Sequence, residues 1–268
     1  KDKDASVRIQ AWLTLSGMKA ESAFPSLRKR MADEDEFVRR SAAKAIADIG
    51  GSAIDVLMDG IESGEILTRR ESAWGLGYIV SSGTKPSVPS LLPCLKDNDL
   101  LLRRNTSWAL GKINDVLSVE ALLESLSDID VEVRRNSAWA LGEIDNQKAV
   151  PGLIEHLSDE ARVVRVESAR ALGKIADTAA LGPLLGALVR VEKEHSSIRR
   201  ESAWALGELK DPKAVPALIR VVTEKTIPSQ MGPVYDDTQV RTQAVIALGK
   251  IGALEAVEPL EKCLPNEK

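Results

Sequence analysis

Hydrophobic residues recur along this chain at intervals of three and four positions, inside a twelve-residue phrase that occurs eight times. The clearest copy, VRRNSAWALGEI, runs from Val133 to Ile144. At about 100° per residue, Val133, Ala138 and Leu141 lie on one face of a helix, and mostly polar residues occupy the opposite face. Each phrase therefore predicts an amphipathic helix that buries one stripe. The other copies begin at Val7, Val38, Thr68, Leu102, Val164, Ile198 and Val240.

A second, shorter apolar pattern accompanies the phrase across a polar turn. Its copies are SVPSLLPCL from Ser87, AVPGLIEHL from Ala149, AVPALIRVV from Ala214 and AVEPLEKCL from Ala256. Proline near the first turn of a helix is tolerated, because that amide has no partner within the helix. Each unit is thus predicted to hold a short helix A followed by a helix B that carries the phrase. The glycine of ALG costs about 1 kcal/mol relative to alanine inside a helix, so we expect a neighbouring helix to approach closely there.

The arginine that follows the first residue of each phrase sets the period of the chain. Arg103, Arg134 and Arg165 lie 31 residues apart, and longer intervals precede Arg103, Arg199 and Arg241. Self-similarity at a fixed period predicts a stack of like units in which each unit contacts its neighbours. We predict an all-α fold, a right-handed α-solenoid of about eight units of paired antiparallel helices. It would form one domain over residues 1–268, with an inserted loop at about 223–239.

The pattern VRxxAAxALGxIGD followed by AVPxLI resembles the HEAT-like repeats of the phycobilisome (bilin) lyase type, over almost the whole chain. The resemblance implies the solenoid fold, and it implies two kinds of function: a repeat scaffold, or a subunit that attaches or removes an open-chain tetrapyrrole. Another class with such repeats, the di-iron deoxyhypusine hydroxylases, binds metal through His-Glu pairs. This chain has Arg70-Glu71 and Arg200-Glu201 at those positions, and arginine cannot replace an imidazole ligand.

Composition narrows the classes further. The net charge is -4 and no apolar run reaches the roughly 18 residues of a membrane span, so we expect neither nucleic-acid binding nor membrane insertion. The two cysteines, Cys94 and Cys263, are expected to be buried and reduced, which favours a cytoplasmic location. The two histidines, His156 and His195, form no ligand motif. No catalytic constellation, metal or cofactor is therefore expected.

Four of the five tryptophans share one position of helix B, five residues after the registering arginine. This position lies opposite the buried stripe, on the face predicted to line a concave groove. Asparagine or glutamate stands three residues before each ring, and arginine one residue before that. A ring beside an amide or carboxylate can hold an extended chain, by analogy with the Trp/Asn ladder of armadillo-repeat peptide receptors. The predicted partner-binding residues are Trp74, Trp108, Trp139, Trp204, Arg70, Arg104, Arg135, Arg200, Asn105, Asn136, Glu71 and Glu201.

Basic residues outnumber acidic ones on this predicted wall, which predicts a partner with some acidic groups. Alternatively, the rings fill space between units and the charges form a solvated helix surface. The registering arginines lie near the buried stripe after acidic turns, so we assign them to ion pairs between units. The predicted function is a non-catalytic protein–protein interaction scaffold that binds a protein or peptide segment. The alternative is a bilin lyase-like subunit that binds or transfers a tetrapyrrole.

Overall fold

The computed structural model describes residues 4–80, 85–189, 196–223 and 238–263. Within these ranges it consists of fifteen α-helices and short 3-10 turns, with no strand, so the predicted all-α fold is confirmed. Most of the predicted inserted loop, and His195, lie outside the described residues. The helices are α1 Ala5–Gly17, α2 Phe24–Arg30, α3 Glu36–Ile49, α4 Ala53–Ile61, α5 Ile66–Ile79, α6 Leu100–Ile113, α7 Val119–Ser125, α8 Val131–Ile144, α9 Val150–Glu155, α10 Arg162–Ile175, α11 Leu181–Val189, α12 Ser196–Leu209, α13 Val215–Thr223, α14 Thr238–Ile251 and α15 Val257–Glu261.

The helices group into two compact units, residues 1–140 and 141–268. The first unit holds α1 to α7 and most of α8, and the second holds the end of α8 and all later helices. The eight phrases correspond to α1, α3, α5, α6, α8, α10, α12 and α14, so all eight helices B are where the period predicts them. Organisation as one domain remains a prediction.

Aspartate side chains start several of the helices B. The Oδ1 atoms of Asp35, Asp99 and Asp130 accept hydrogen bonds from backbone N–H groups of the first turn, the last two at 2.8 Å from Leu102 N and 3.0 Å from Val133 N. Such caps satisfy amides that have no partner within the helix. Helix α10 differs, because Ala161 occupies its cap position and supplies no side-chain acceptor. The acidic turns between helices A and B therefore fix where helix B begins.

The buried stripe of helix B is as predicted: Val133, Ala138 and Leu141 are fully buried. The alanine six residues after the registering arginine is buried as well, because a neighbouring helix B packs against it. The ALG glycine of the preceding helix B makes this approach possible. A Cβ placed on Gly173 would lie 2.8 Å from the Cα of Ala205, closer than side chains tolerate. The expected close approach of helices at the ALG glycine is confirmed for the interior repeats.

The prediction of a helix A from Ser87 is wrong. Residues 85–91 form no α-helix, and only a 3-10 helix, Leu92–Lys96, follows them. Proline at position 93 lacks an N–H donor, and its ring would clash with the carbonyl four residues earlier in an α-helix. The segment still buries Val88, Leu91 and Leu95, so it fills the place of a helix A without α-helical hydrogen bonds.

The registering arginines belong to the scaffold, as predicted. Arg69 pairs with Asp97 at 2.8 Å, and Arg103 pairs with Asp128 at 2.7 Å. Other members reach backbone carbonyls: Arg134 Nη1 donates to Asp128 O at 3.0 Å, and Arg199 Nε donates to Leu188 O at 2.9 Å. A guanidinium that satisfies carbonyls at the end of helix A ties the two helices of a unit together.

The two cysteines differ in burial. Cys94 is buried, as expected, but Cys263 is exposed, so that expectation was wrong. The apolar spacing around Cys263 matches that of the other helices A, but no later helix of the described chain packs over α15 to cover it. None of the described helices is long and apolar enough to cross a membrane.

Candidate partner-binding surface

The four tryptophans of the shared register lie on α5, α6, α8 and α12, and all four are partly exposed. One edge of a ring faces the glycine of the preceding helix B in three cases: Trp108 at Gly77, Trp139 at Gly111 and Trp204 at Gly173. The rings thus fill space between helices along one edge and remain open to solvent elsewhere. The same side chain therefore both packs between helices and presents an exposed surface. The contact with the preceding helix holds Trp108, Trp139 and Trp204 in defined places.

Three rings of the first unit form a continuous stack. The Trp74 and Trp108 rings lie nearly parallel, at 11° with centroids 6.2 Å apart, and Trp74 also stacks on Tyr78 at 5.2 Å and 20°. Tyr78 was not among the predicted site residues. Its position, nine residues after Arg69, lies on the same outward face as the tryptophans, so the helical period could have identified it.

Three cations cover these rings. The Arg40 guanidinium carbon lies 4.4 Å from the Trp74 centroid, and Lys44 Nζ lies 5.0 Å from that of Tyr78. Lys112 Nζ lies between two rings, 5.9 Å from Trp108 and 5.2 Å from Trp139. These distances allow cation–π attraction. Together these rings and cations form a surface that we call the ladder surface: Arg40, Lys44, Trp74, Tyr78, Trp108, Lys112 and Trp139.

The predicted wall arginines are paired with acids. Arg70 Nε lies 2.8 Å from Asp99 Oδ1, and Arg104 reaches both carboxylate oxygens of Asp130 at 2.7 and 2.5 Å. Both aspartates also cap the next helix B. The hydrogen bond from Arg70 is the largest of the effects that hold the pKa of Asp99 below its ordinary value. The predicted excess of basic residues was counted on the helices B alone and did not include these aspartates of the turns. In the folded chain the aspartates neutralise much of that positive charge.

The other two wall arginines pair locally. Arg135 lies 2.8 Å from Glu132, one turn earlier on α8. Arg200 lies 2.8 Å from Glu201 and donates to Gln239 at 3.1 Å. Because both arginines are more than a third exposed, these pairs contribute little to the free energy of unfolding. Their guanidinium groups remain accessible to a partner.

The two asparagines connect neighbouring helices B. Asn105 Nδ2 donates to the backbone carbonyl of Arg70 at 2.8 Å, and Asn136 Nδ2 donates to that of Arg104 at 3.2 Å. Their amide N–H groups were predicted to hold the backbone of a partner segment, but here they hold the backbone of the preceding helix. Both side chains are partly buried in that position. We therefore regard them first as supports for the rings three residues later.

The glutamates of the shared register have different surroundings. Glu71 is 3% exposed and lies 3.0 Å from Arg40 and 3.9 Å from Arg39. Burial raises its pKa above the ordinary value, and the neighbouring arginine charges only partly offset this effect. Burial is also the largest single effect on Glu201, but the hydrogen bonds and charges of Arg170 and Arg200 together outweigh it and lower the pKa.

Among the described residues, no group of three His, Cys, Asp or Glu side chains is arranged to hold a metal ion. His156 lies in a 3-10 turn after α9, where its Nδ1 is 2.8 Å from the carbonyl of Gly152. The residues predicted as the site therefore offer aromatic, cationic and carboxylate groups. Such groups suit non-covalent recognition.

Comparisons with known families agree with the repeat architecture. The pattern that defines HEAT repeats matches residues 1–77, 54–130 and 119–190, and that of the PBS lyase HEAT-like repeat matches residues 198–224 and 240–264. No curated protein shows significant similarity to the chain.

Several solved structures have a similar fold at low sequence identity. The Escherichia coli protein YibA is 19% identical to this chain, with a TM-score of 0.60. The match covers 94% of this chain and 89% of the YibA chain. An engineered protein is 22% identical over 86% and 68% of the two chains, with a TM-score of 0.54. The complex of CpcE and CpcF of phycocyanin lyase from Nostoc sp. PCC7120 is 19% identical over 89% and 93%, with a TM-score of 0.50. At these identities the likeness shows the fold alone.

Proposed function

We propose that this chain, which belongs to the HEAT-repeat family, is a non-catalytic protein–protein interaction scaffold that binds a partner segment on its ladder surface. The observation that supports this proposal is a row of partly exposed rings on successive helices B, each held in place by its neighbours. Large aromatic groups left open to solvent on a regular row mark a contact surface. Tryptophan and arginine are also enriched among residues that dominate binding energy.

The fixed geometry of the rings favours binding. The edge of Trp108 lies against the backbone at Gly77, and its face lies against Trp74, so few rotamers are open to it. A side chain that is already ordered loses little conformational entropy when a partner binds. The smaller entropy loss improves affinity. We infer that the ladder surface accepts apolar side chains of a partner without rearranging.

The cations of the ladder surface bear on the chemistry of the partner. Lys112 is exposed, and its ammonium group lies against the rings of Trp108 and Trp139. Within the described part of the chain it forms no salt bridge. A partner carboxylate could approach it without displacing an internal ion pair. We therefore propose a segment that combines apolar side chains with acidic groups.

Replacement of Trp108 and Trp139 by alanine tests the scaffold function. The doubly substituted chain should lose the partner that the unaltered chain retains from a native lysate, and far-UV circular dichroism should show unchanged helical content. Trp12→Ala, outside the shared register, is the matched control and should retain the partner. Loss of helical content would instead assign the rings to the structural core. An unchanged set of retained proteins would contradict the proposal.

A second candidate function is the binding of an open-chain tetrapyrrole. It is favoured by the match of residues 198–224 and 240–264 to the PBS lyase HEAT-like repeat, and by the tryptophan and arginine side chains on α12. A tetrapyrrole has a conjugated apolar body and propionate groups that suit such surroundings. Titration with biliverdin provides the test: a shifted absorbance band that Trp204→Leu abolishes would support this candidate, and an unchanged spectrum would remove it.

A further inference from the structure

A hollow of about 220 Å³ opens beside Trp204 in the second unit. It lies between α10, α12 and α14, on the outward side of these helices B. Its lining combines one ring with three cations, one carboxylate and one amide. The lining residues are Arg170, Lys174, Arg200, Glu201, Trp204 and Gln243. We refer to this cavity as the Arg200 hollow.

The tryptophan register is interrupted beside the Arg200 hollow. The phrase of α10 has Arg170 where α8 and α12 have Trp139 and Trp204. In the first unit Trp108 is covered by the ring of Trp74, but in the described part of the second unit no aromatic ring stacks on Trp204. The Trp204 edge is still held against Gly173. A fixed ring therefore borders the cavity, and Arg170, at the position of the preceding ring of the row, also lines it.

The two arginines of the hollow lie over largely buried carboxylates, whereas Lys174 pairs with Glu143. Arg170 lies 3.0 Å from Glu167 and 3.2 Å from Glu201, and Arg200 lies 2.8 Å from Glu201. The side chains of the two arginines are 37% and 38% exposed, whereas those of Glu167 and Glu201 are 12% and 10% exposed. The groups that face the cavity are therefore mainly guanidinium. Each guanidinium has five N–H donors, more than these ion pairs use.

A neighbouring hollow shares Lys174 and Trp204 but has the opposite charge. Its lining includes Glu143, Asp145 and Glu208, near the C-terminal ends of α8, α10 and α12. Helix C-termini carry partial negative charge, and with these carboxylates they disfavour an anion. Within that second hollow, Glu143 pairs with Lys174 and Glu208 pairs with Lys250. The Arg200 side of Trp204 therefore favours a carboxylate more than the other side does. This arrangement selects for one acidic position beside the ring over a continuous acidic run.

We propose that the Arg200 hollow binds a single aspartate or glutamate side chain of a partner polypeptide, while an adjacent apolar side chain packs on Trp204. The inference rests on the proposed scaffold function and extends it to the second unit. The charge of the cavity matches a carboxylate, which can accept hydrogen bonds from both arginines. Its volume is below the roughly 300–1,000 Å³ of small-molecule sites and suits one side chain.

A double-mutant cycle on defined peptides tests the proposal. Random peptides displayed on phage are selected on the unaltered full chain, and affinities of synthetic copies are measured by fluorescence polarisation. We expect the selected peptides to share one acidic residue next to an apolar one. Replacing Arg200 by glutamine should weaken binding about tenfold or more, because a charge-assisted hydrogen bond is lost. Lys213→Gln, an exposed cation outside the hollow, should change nothing.

A second peptide, with Asn or Gln in place of the acidic residue, completes the cycle. We expect it to bind the unaltered chain as weakly as the acidic peptide binds the Arg200→Gln chain. We also expect Arg200→Gln to cause no further loss of affinity for this second peptide. Trp204→Leu provides an independent variant if Arg200→Gln changes the circular dichroism. Peptides that bind both chains equally, or that need no acidic residue, would overturn the proposal. If their binding depends on Trp108 and Trp139 instead, the scaffold function stands without this site; if no peptide binds, both fail.

Discussion

Gly111 provides the sharpest test of how the helices B pack. A Cβ placed on Gly111 would lie 2.9 Å from the Cα of Ala140 and 2.8 Å from its Cβ, and it would also meet the ring of Trp139. Real Cβ atoms do not approach a backbone so closely, so Gly111→Ala requires α8 or its ring to shift. The last repeat contains a natural control. Gly249 occupies the same position of the phrase, and a Cβ there would meet nothing within 4 Å.

The expected magnitudes follow from two opposing effects. Alanine is better than glycine inside a helix by about 1 kcal/mol, which alone would stabilise either variant. Overpacking of a well-filled site costs about 1–3 kcal/mol, and the contact with backbone places Gly111→Ala toward the upper part of that range. We expect Gly111→Ala to lower the free energy of unfolding by about 1–2 kcal/mol. Gly249→Ala should raise it by up to about 1 kcal/mol.

Urea unfolding followed by far-UV circular dichroism measures both effects, with the unaltered chain in the same series. Since a repeat array can unfold in more than one step, intrinsic tryptophan fluorescence serves as a second probe of the transition. If Gly111→Ala is as stable as the unaltered chain, the approach of α8 does not require the interior glycine. Equal changes in the stability of both variants would lead to the same conclusion.

Three further predictions concern charges, caps and the asparagine supports. Glu71 has a raised pKa, so its contribution to stability is greatest below the ordinary glutamate pKa and is lost as the pH rises through the raised value. Glu201 has a lowered pKa, so its contribution is present above the ordinary pKa and is lost as the pH falls. At neutral pH, Glu201→Gln should therefore destabilise the chain more than Glu71→Gln, as measured by thermal unfolding across pH. Ala161→Asp should stabilise the chain by about 0.5–2 kcal/mol by capping α10. Asn136→Ala should cost about 0.5–1.5 kcal/mol through its lost hydrogen bond.

Each of these predictions has an outcome that contradicts it. Equal unfolding midpoints for the two glutamine variants at neutral pH would remove the distinction between Glu71 and Glu201. A destabilised Ala161→Asp chain would mean that repulsion from neighbouring acids exceeds the gain from the cap. Unchanged stability of Asn136→Ala would show that its bond to the preceding helix B has no net value. Lys213→Gln serves as the neutral reference in each series.

The sequence alone determined the repeat and the helices that carry it. The period placed all eight helices B, the wheel identified stripe residues such as Val133 and Leu141, and the acidic turns identified the scaffold role of Arg103 and Arg134. These features depend on contacts that recur in every unit, so the repeated sequence pattern is enough to predict them. The missing α-helix after Ser87 could also have been foreseen from Pro93, since proline acts on its own turn of chain.

Only the tertiary structure decided how the outward side chains are used. In the folded chain, Arg70 and Arg104 pair with the aspartates that cap the next helix B. The Asn105 amide donates to the preceding helix, and the tryptophan edges pack against glycines. The tertiary structure also placed Trp204 beside a cavity that Arg170 and Arg200 help to line. Such pairings join residues about one repeat apart, and their partners depend on the distance and rotation between stacked helices. The helical period describes each helix separately and carries no information about that packing.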